Sequence, residues 1–500
     1  MGGGLIQLVA YGIQDIYISG DPQITFFKVV YKRHTNFSIE PIKQYFSTNL
    51  DFGKSSSCTI ARHGDLITKM YLVVNLPFIP QFKESDNITL DKIKRFAWAK
   101  KIGYAIIKTI EIEIGGQLID CHTGEWLNIL SELTNTFTGL DKMIGNVDEL
   151  IQPTNGKNGY LLYIPLKFWF NKFNGLALPI VSLQYSEIKI HLEVNPPEEV
   201  YTIHPTHYIE INECVVGFDY LEYIEQNING IKIGGLFDTF DPIEQKLYYT
   251  KIDNTNEFST ENLYINPLSG NLMTYPIIGK KTGYVVYPKN NKEIKLNNKL
   301  VKELSITNSY IIVDYIYLDS EERMRFAQTN HEFLIEQVQF PNSKTIFSNN
   351  ILSQLAFNNP VKEIVWVAPL NNIVYGLLND KFNYTNNYIN NYNFIKESTI
   401  LLNGHKRFQE RDGDYFNWIQ PYEYHKVAPS AGIYVYSFSL FPEDNQPSGS
   451  CNMSKIDDIK IQIKFDGSLN YNNTAELRIY MVSYNILRII HGLGGLAFSN

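Results

Sequence analysis

Few side chains in this sequence have the type and spacing for chemistry, and each lacks something that chemistry needs. Gly53-Lys54-Ser55 ends as a phosphate-binding loop ends. Such a loop also needs an earlier glycine, where this chain has Thr48, and a strand-to-helix setting. His204 and His207 form His-x-x-His, with His191 nearby in sequence. Zinc takes such imidazoles but requires further ligands and a supporting shell, which the sequence does not display. Glu111 and Glu113 share one strand face, and Asp412 and Asp414 flank Gly413. Paired carboxylates serve acid–base catalysis, yet each pair reads more simply as a solvated strand face or a turn. No serine stands in a Gly-x-Ser-x-Gly elbow, and no cysteine has a recognisable histidine partner. The expectation is a chain with no catalytic, cofactor-binding or metal-binding residues, and no enzyme.

Binding features are equally sparse. Lys94-Arg95-Phe96-Ala97-Trp98-Ala99-Lys100-Lys101 interleaves basic and aromatic residues as single-strand nucleic-acid binders do. The whole chain, with 44 basic and 52 acidic residues, carries a formal charge of -8, which opposes phosphate neutralisation. The cluster therefore reads as a subunit contact, where Arg and Trp are enriched, and no direct nucleic-acid contact is expected. Asn36, Asn87, Asn383, Asn452 and Asn472 each begin a glycosylation triplet, read as compositional in an Asn-rich chain. The start MGGGLI has Gly2 but Ile6 where a myristoylation motif needs Ser or Thr, so residues 1–25 are expected to form an arm. Neither a membrane-spanning apolar run nor the order of a signal peptide is found, and a soluble protein is expected. Cys58, Cys121, Cys214 and Cys451 are scattered without CxxC spacing, as in a protein folded in reducing cytosol.

The elements that would carry these residues are strands. A chain of 500 residues exceeds one hydrophobic core. Apolar residues make up 44% and charged ones 19%, as in a folded globular protein. Its 34 Tyr and 29 Phe, with many β-branched residues, favour half-buried pleated surfaces. Strict alternation marks 188–194 (IKIHLEV) as a strand with one wet face. Further strands are expected at 67–76, 106–114, 209–221, 311–318, 363–368, 398–402, 433–441, 459–465 and 475–487. Helices are expected at 124–133 and 319–337, the latter capped by Asp319 or Ser320. The Asn- and Tyr-rich stretches 248–309 and 371–397 read as outward-projecting loops.

An internal repeat sets the architecture. Residues 112–127 (IEIGGQLIDCHTGEWL) match 400–416 (ILLNGHKRFQERDGDYF), aligning Gly116 with Gly404, Gly124 with Gly413, Glu125 with Asp414 and Trp126 with Tyr415. In the same order, 187–192 (EIKIHL) match 458–463 (DIKIQI), and 217–221 (GFDYL) match 483–487 (SYNIL). Two copies of one all-β sandwich are expected, at 26–223 and 224–490, with a tail at 491–500. The length of each copy favours eight-stranded antiparallel jelly rolls over smaller immunoglobulin-like units.

Several blocks resemble the double jelly-roll major capsid proteins of nucleocytoplasmic large DNA viruses. They are 14–40 (QDIYISGDPQITFFKVVYKRHTNFSIE), 58–77 with Arg62, Gly64, Asp65 and Leu66, and 313–340 with its Leu-Asp-x-x-Glu-Arg. The fourth is 432–457, with Gln-Pro-Ser-Gly-Ser-Cys-Asn followed by Ser-x-Ile-Asp. The resemblance implies a late structural protein of the virion, assembled in host cytoplasm. It implies homotrimeric capsomers of pseudo-hexagonal outline, tiling an icosahedral capsid with minor capsid and penton proteins, beside an inner membrane that the chain does not span. The competing reading is a carbohydrate- or receptor-binding β-sandwich using its aromatic loops. A weaker one is a β-sandwich hydrolase using Glu113, Asp412 or Asp414.

Overall fold

The computed structural model describes residues 3–10, 12–15, 21, 34–82, 93–252, 257–258, 263–265, 272–289, 292–296, 304–376, 378–385 and 392–498. The all-β expectation holds, and the strands sort into two sandwiches built on one plan.

In the first sandwich, one sheet runs in the order β1 (Phe37–Gln44), β8 (Asn308–Leu318), β3 (Leu66–Leu76), β6 (Tyr160–Pro165). Its facing sheet runs β2 (Ser55–Thr59), β7 (Ile188–Val194), β4 (Ile107–Ile114), β5 (Gln117–Thr123). In the second, the order is β9 (His331–Gln339), β16 (Ala475–Ile490), β11 (Pro360–Val367), β14 (Ile433–Ser437). It faces β10 (Asn350–Leu355), β15 (Ile459–Phe465), β12 (Ile395–Leu402), β13 (His405–Lys406). Adding eight to each strand number of the first sandwich gives the second, so the chain is a tandem pair of antiparallel jelly rolls.

Side-chain alternation builds both cores. Ile188, Ile190, Leu192 and Val194 of β7 are buried, as are Ile459, Ile461, Ile463 and Phe465 of β15. Each row closes over the alternate residues of the facing sheet, Met70, Leu72 and Val74 in one roll and Ile364, Trp366 and Ala368 in the other. The hairpin β4–β5 turns through Gly115 and Gly116, with φ of 60° and 85°, and its counterpart through Asn403 and Gly404, at 49° and 78°. Gly124 and Gly413 share a second constraint, since each lies against a backbone carbonyl of the strand-four edge. A Cβ would stand 2.5 Å from Ile107 O in one case and 2.0 Å from Ile395 O in the other.

Two of the three sequence repeats therefore coincide with equivalent elements, and the third does not. Residues 217–221 lie in a loop, whereas 483–487 lie within β16, whose true counterpart is β8. β8 is hydrogen-bonded between β1 and β3 in the first sandwich. The second roll starts with β9.

The stretch between β7 and β8 is more than a loop. It holds a further sheet of seven short strands, including Tyr223–Ile228, Ile231–Asp241 and Lys246–Lys251, around Ile209, Ile224, Phe237, Leu247 and Tyr249. Of the expected strand 209–221, only Ile209 and Glu210 lie in a strand, His207–Glu210. The segment 371–397 is not simply outward-facing either. Asp380, Tyr384 and Thr385 are buried, and Asn379 donates to the Glu198 and Tyr201 carbonyls at 2.6 and 2.7 Å. The expected helix 319–337 ends early. α2 is Ser320–Gln328, capped by Asp319, and His331–Gln339 is β9, because its buried Ile335 and Gln337 follow a strand period. In the expected tail, Leu493–Leu496 pairs back onto β16. Of the 14–40 block, most lies outside the described residues.

Gly413→Ala should lower the unfolding free energy by about 1–3 kcal/mol, the usual range for overpacking, read by urea denaturation. An unchanged midpoint would mean that the backbone approach at Ile395 is absent.

Candidate assembly site

The two rolls of this chain meet at a packed seam. Helix α1 (Gly124–Thr134) leaves β5 with Thr123 as its cap, whose Oγ1 accepts from the Trp126 amide at 3.0 Å. Trp126, Ile129, Leu130 and Leu133 follow helical spacing and form one apolar stripe. That stripe is buried against Val365 and Val367 of β11, Ile433 and Val435 of β14, and Tyr480 and Val482 of β16. Each such side chain contributes about 1.5–3 kcal/mol when removed from water.

Charged groups frame the stripe. Glu125 accepts from Arg478 at 2.7 Å and from the Tyr480 hydroxyl at 2.5 Å. Glu132 accepts from Lys101 at 2.6 Å and from the Ser430 hydroxyl at 2.5 Å. Burial alone would raise the Glu132 pKa, but Lys101 and Ser430 together bring it below the ordinary carboxylate value. Elsewhere between the rolls, Glu336 of β9 accepts from Lys172 of the first roll at 2.8 Å and from Lys362 of β11. Burial pushes its carboxyl up, and the two ammonium groups outweigh that and hold it at about 2. Beside them His425 lies 3.2 Å from Glu363 and 3.3 Å from Glu443. Burial disfavours its charge, but the two carboxylates raise it to about 9.

The motif residues prove to be fasteners. The Arg62 guanidinium donates to the carbonyls of Leu183, Gln184 and Ser186. Asp65 is buried, accepts from the Leu318 amide at 2.9 Å and pairs with Arg323 at 3.0 Å. The Arg-x-Gly-Asp-Leu turn thus grips the Leu-Asp-x-x-Glu-Arg block at the end of β8. Around Gly449, Phe441 donates its amide to the Ser448 hydroxyl at 2.8 Å and Cys451–Asn452 pairs with β11.

The other candidates are dispersed. Lys54 pairs with Asp51 in a turn before β2, with no helix following. His191 meets Glu113 across β7 and β4 at 2.9 Å, while His204 bonds Thr250 and Thr202, and His207 bonds Thr206. Among the described residues no group of three or more His, Cys, Asp or Glu is arranged to hold a metal ion. Glu111 faces Cys121, Asp412 pairs with the strand at Glu397, and Asp414 accepts from Asn393. Within 94–101, Phe96, Ala97 and Trp98 are buried inside the chain, and Lys100 and Lys101 pair with Asp380 and Glu132. The aromatic rings of that cluster are therefore unavailable to a nucleic acid or to another subunit. Asn36, Asn452 and Asn472 are exposed, Asn383 is half-buried, and Asn87 lies outside the described residues. No described helix is long and apolar enough to cross a membrane.

A tandem jelly-roll pair fastened by a helix-on-sheet seam defines the double jelly-roll class. Residues 25–215 match the model described as the major capsid protein N-terminus, and residues 322–495 match the large eukaryotic DNA virus major capsid protein model. The chain belongs to the large eukaryotic DNA virus major capsid protein family. It is 45% identical to probable capsid protein 4 of Acanthamoeba polyphaga mimivirus and 34% identical to the major capsid protein of Pyramimonas orientalis virus, covering 100% of both chains in each case. In structure it resembles the subunit of the PBCV-1 virus capsid, with a TM-score of 0.62 and 25% identity over 95% of this chain and 100% of that one. It shares the fold of the Faustovirus major capsid protein, with a TM-score of 0.65 at 13% identity over 96% and 94% of the two chains. Its role is structural rather than enzymatic.

The seam should be pH-sensitive at both ends. Glu336, with its folded pKa depressed, stabilises fully above about 4.5 and loses that contribution as pH falls towards about 2. His425, with its folded pKa raised, stabilises fully below about 6.5 and loses that contribution as pH rises through about 9. His425→Gln should flatten the decline in melting temperature between pH 6.5 and 9. A variant that keeps the wild-type slope would remove His425 as its source. Glu336→Gln should cost about 3–5 kcal/mol by leaving two cations unpaired, measured by chemical denaturation at neutral pH.

Proposed function

We propose that the chain is the building block of a virion shell, and that three copies close into a homotrimeric capsomer of pseudo-hexagonal outline. The observation that carries this is the repetition of one strand order in both halves. Three copies of a two-roll chain present six similar sandwiches, which suits hexagonal positions of an icosahedral lattice. A three-fold ring is a closed assembly, and its outer edges remain open for neighbouring capsomers. Minor capsid and penton proteins would meet those edges, with the inner membrane beneath and assembly in the host cytoplasm.

On this reading the first roll comprises β1–β7 with β8, the stretch 195–307 is an insertion between β7 and β8, and the second roll comprises β9–β16. The insertion has no equal in the second roll, where 466–474 joins the matching strands, so it is the part that distinguishes one half of a capsomer from the other.

Native mass spectrometry and negative-stain imaging of the purified chain test this proposal. The expected result is a mass of three chains and a six-lobed outline with three-fold symmetry. A monomer that persists at high concentration would overturn it.

A further inference from the structure

A cavity of about 390 Å³ lies between the two rolls, where Leu130 and Thr134 at the end of α1 form part of its lining. It takes Lys69, Lys167 and Lys172 from the first roll and Lys362, His425 and Lys426 from the second. The chain's own carboxylates do not balance these cations. Glu336, Glu363 and Glu443 line the same cavity, and all three are engaged. Lys172 and Lys362 hold Glu336, His425 lies against Glu363 and Glu443, and Lys426 pairs with Glu443 at 3.1 Å. Five ammonium groups thus meet three carboxylates. His425 adds to the excess, because burial opposes its charge but the two carboxylates beside it prevail.

Lys167 and Lys69 carry that excess. Pro165 stands opposite Tyr71, and beyond it the Leu166 amide donates to the Met70 carbonyl at 3.0 Å. Continuing the antiparallel pairing sets Lys167 opposite Lys69 on the face away from the core, where like charges repel. Among the described residues neither side chain has a hydrogen bond or an ion pair. Asp314 of β8 is close enough to feel Lys69 but does not pair with it. Burial opposes the charge on Lys167, and the ammonium groups of Lys172 and Lys69 oppose it further, so its pKa lies below the ordinary lysine value. A partly buried cation faced by other cations costs the folded chain stability unless an anion joins it.

The lining also defines the anion. It contains no arginine, whose planar fork suits carboxylates. Ammonium groups act as point charges with rotatable donors, which suits a tetrahedral oxyanion of more than one charge. The volume lies within the roughly 300–1,000 Å³ of ligand pockets, at the small end. We propose that this cavity binds a small polyphosphate anion, held by Lys69, Lys167 and Lys172 of the first roll and Lys426 of the second. Free pyrophosphate and the phosphate chain of a nucleotide share this chemistry. Bound there, the anion joins ammonium groups of both rolls and stabilises their relative pose by mass action.

Calorimetric titration of the purified chain with pyrophosphate, at constant ionic strength and without divalent cations, tests the site. Saturable binding with one site per chain is expected, together with a rise in melting temperature. Lys167→Gln should weaken binding about tenfold or more, as loss of one charge-assisted bond implies. In chloride alone the same variant should melt above the wild type, since it removes an uncompensated charge. A lysine with a merely structural role would not combine gained stability with lost binding. Lys69→Gln, at an exposed position, should weaken binding likewise and replaces Lys167→Gln if that variant fails to fold. Lys54→Gln, in an exposed turn, should leave binding unchanged. ATP that binds with the same dependence on these lysines assigns the site a nucleotide's phosphate chain, whereas binding of pyrophosphate alone assigns it the free anion. No saturable binding of either, or binding that both lysine variants leave unchanged, would overturn the proposal.

Discussion

Everything else in this structure depends on a helix lying across a sheet. The stripe Trp126, Ile129, Leu130 and Leu133 on Val365, Val435 and Tyr480 fixes where the second roll stands relative to the first, because a packed apolar interface tolerates little sliding. The polar contacts around it set direction rather than supply the main driving force. Glu125 can meet Arg478 and Tyr480 at once in only one orientation of α1. Buried ion pairs of this kind contribute little net stability compared with apolar replacements, yet breaking one is costly. That asymmetry is useful in a shell, where the relative pose of two domains matters more than how deep their energy well is.

The duplication also shows which parts of a jelly roll are free to vary. Strand order, the hairpin after strand four and the glycine that follows strand five are the same in both rolls. The connection between the last two strands is not. It is 195–307 in one roll and 466–474 in the other, roughly twelvefold longer, and a flexible loop of that ratio would cost only about 2 kcal/mol in closure entropy. An insertion with its own core around Phe237 and Tyr249 offsets such a cost from its own burial. The sandwich can therefore carry a large appendage without changing its sheet order.

Much of the frame was legible because period-2 alternation is a local signal, and β7, β15, β4 and β12 all display it. The equivalence of Gly124 and Gly413 was legible as a pattern, although its reason, a carbonyl against the α-carbon, is visible only in three dimensions. The third repeat misled because GFDYL resembles a strand end in composition while lying in a turn. The membership of β8 was not legible at all, since pairing with β1 and β3 is decided by partners more than 200 residues upstream. The inserted sheet left one usable signal. Asn229 and Gly230, at φ of 51° and 89°, turn the hairpin between Tyr223–Ile228 and Ile231–Asp241, and Asn-Gly between alternating apolar residues marks such a turn. The seam was hidden because stripe residues on a helix of this length look like ordinary core until the sheet they cover is seen.

The blocks that carry the family resemblance contain Arg, Asp and Glu in fixed spacing, which elsewhere would suggest an active site. Here their chemistry is spent on backbone. Asp65 receives the Leu318 amide and Arg323, and Arg62 occupies three carbonyls of the 183–186 turn. These groups sit where β8 must be held in place after the long excursion and where a turn would otherwise leave peptide groups unsatisfied in a buried corner. An unpaired buried backbone group costs about 1–3 kcal/mol, and a charged side chain with several donors or acceptors meets that need in less space than additional secondary structure. A spaced set of charged residues in a sequence is therefore as consistent with closing a fold as with running a reaction, and the partner atoms decide which. In this chain the partners are amides and carbonyls of the chain itself, so its most recognisable residues serve to close the first roll.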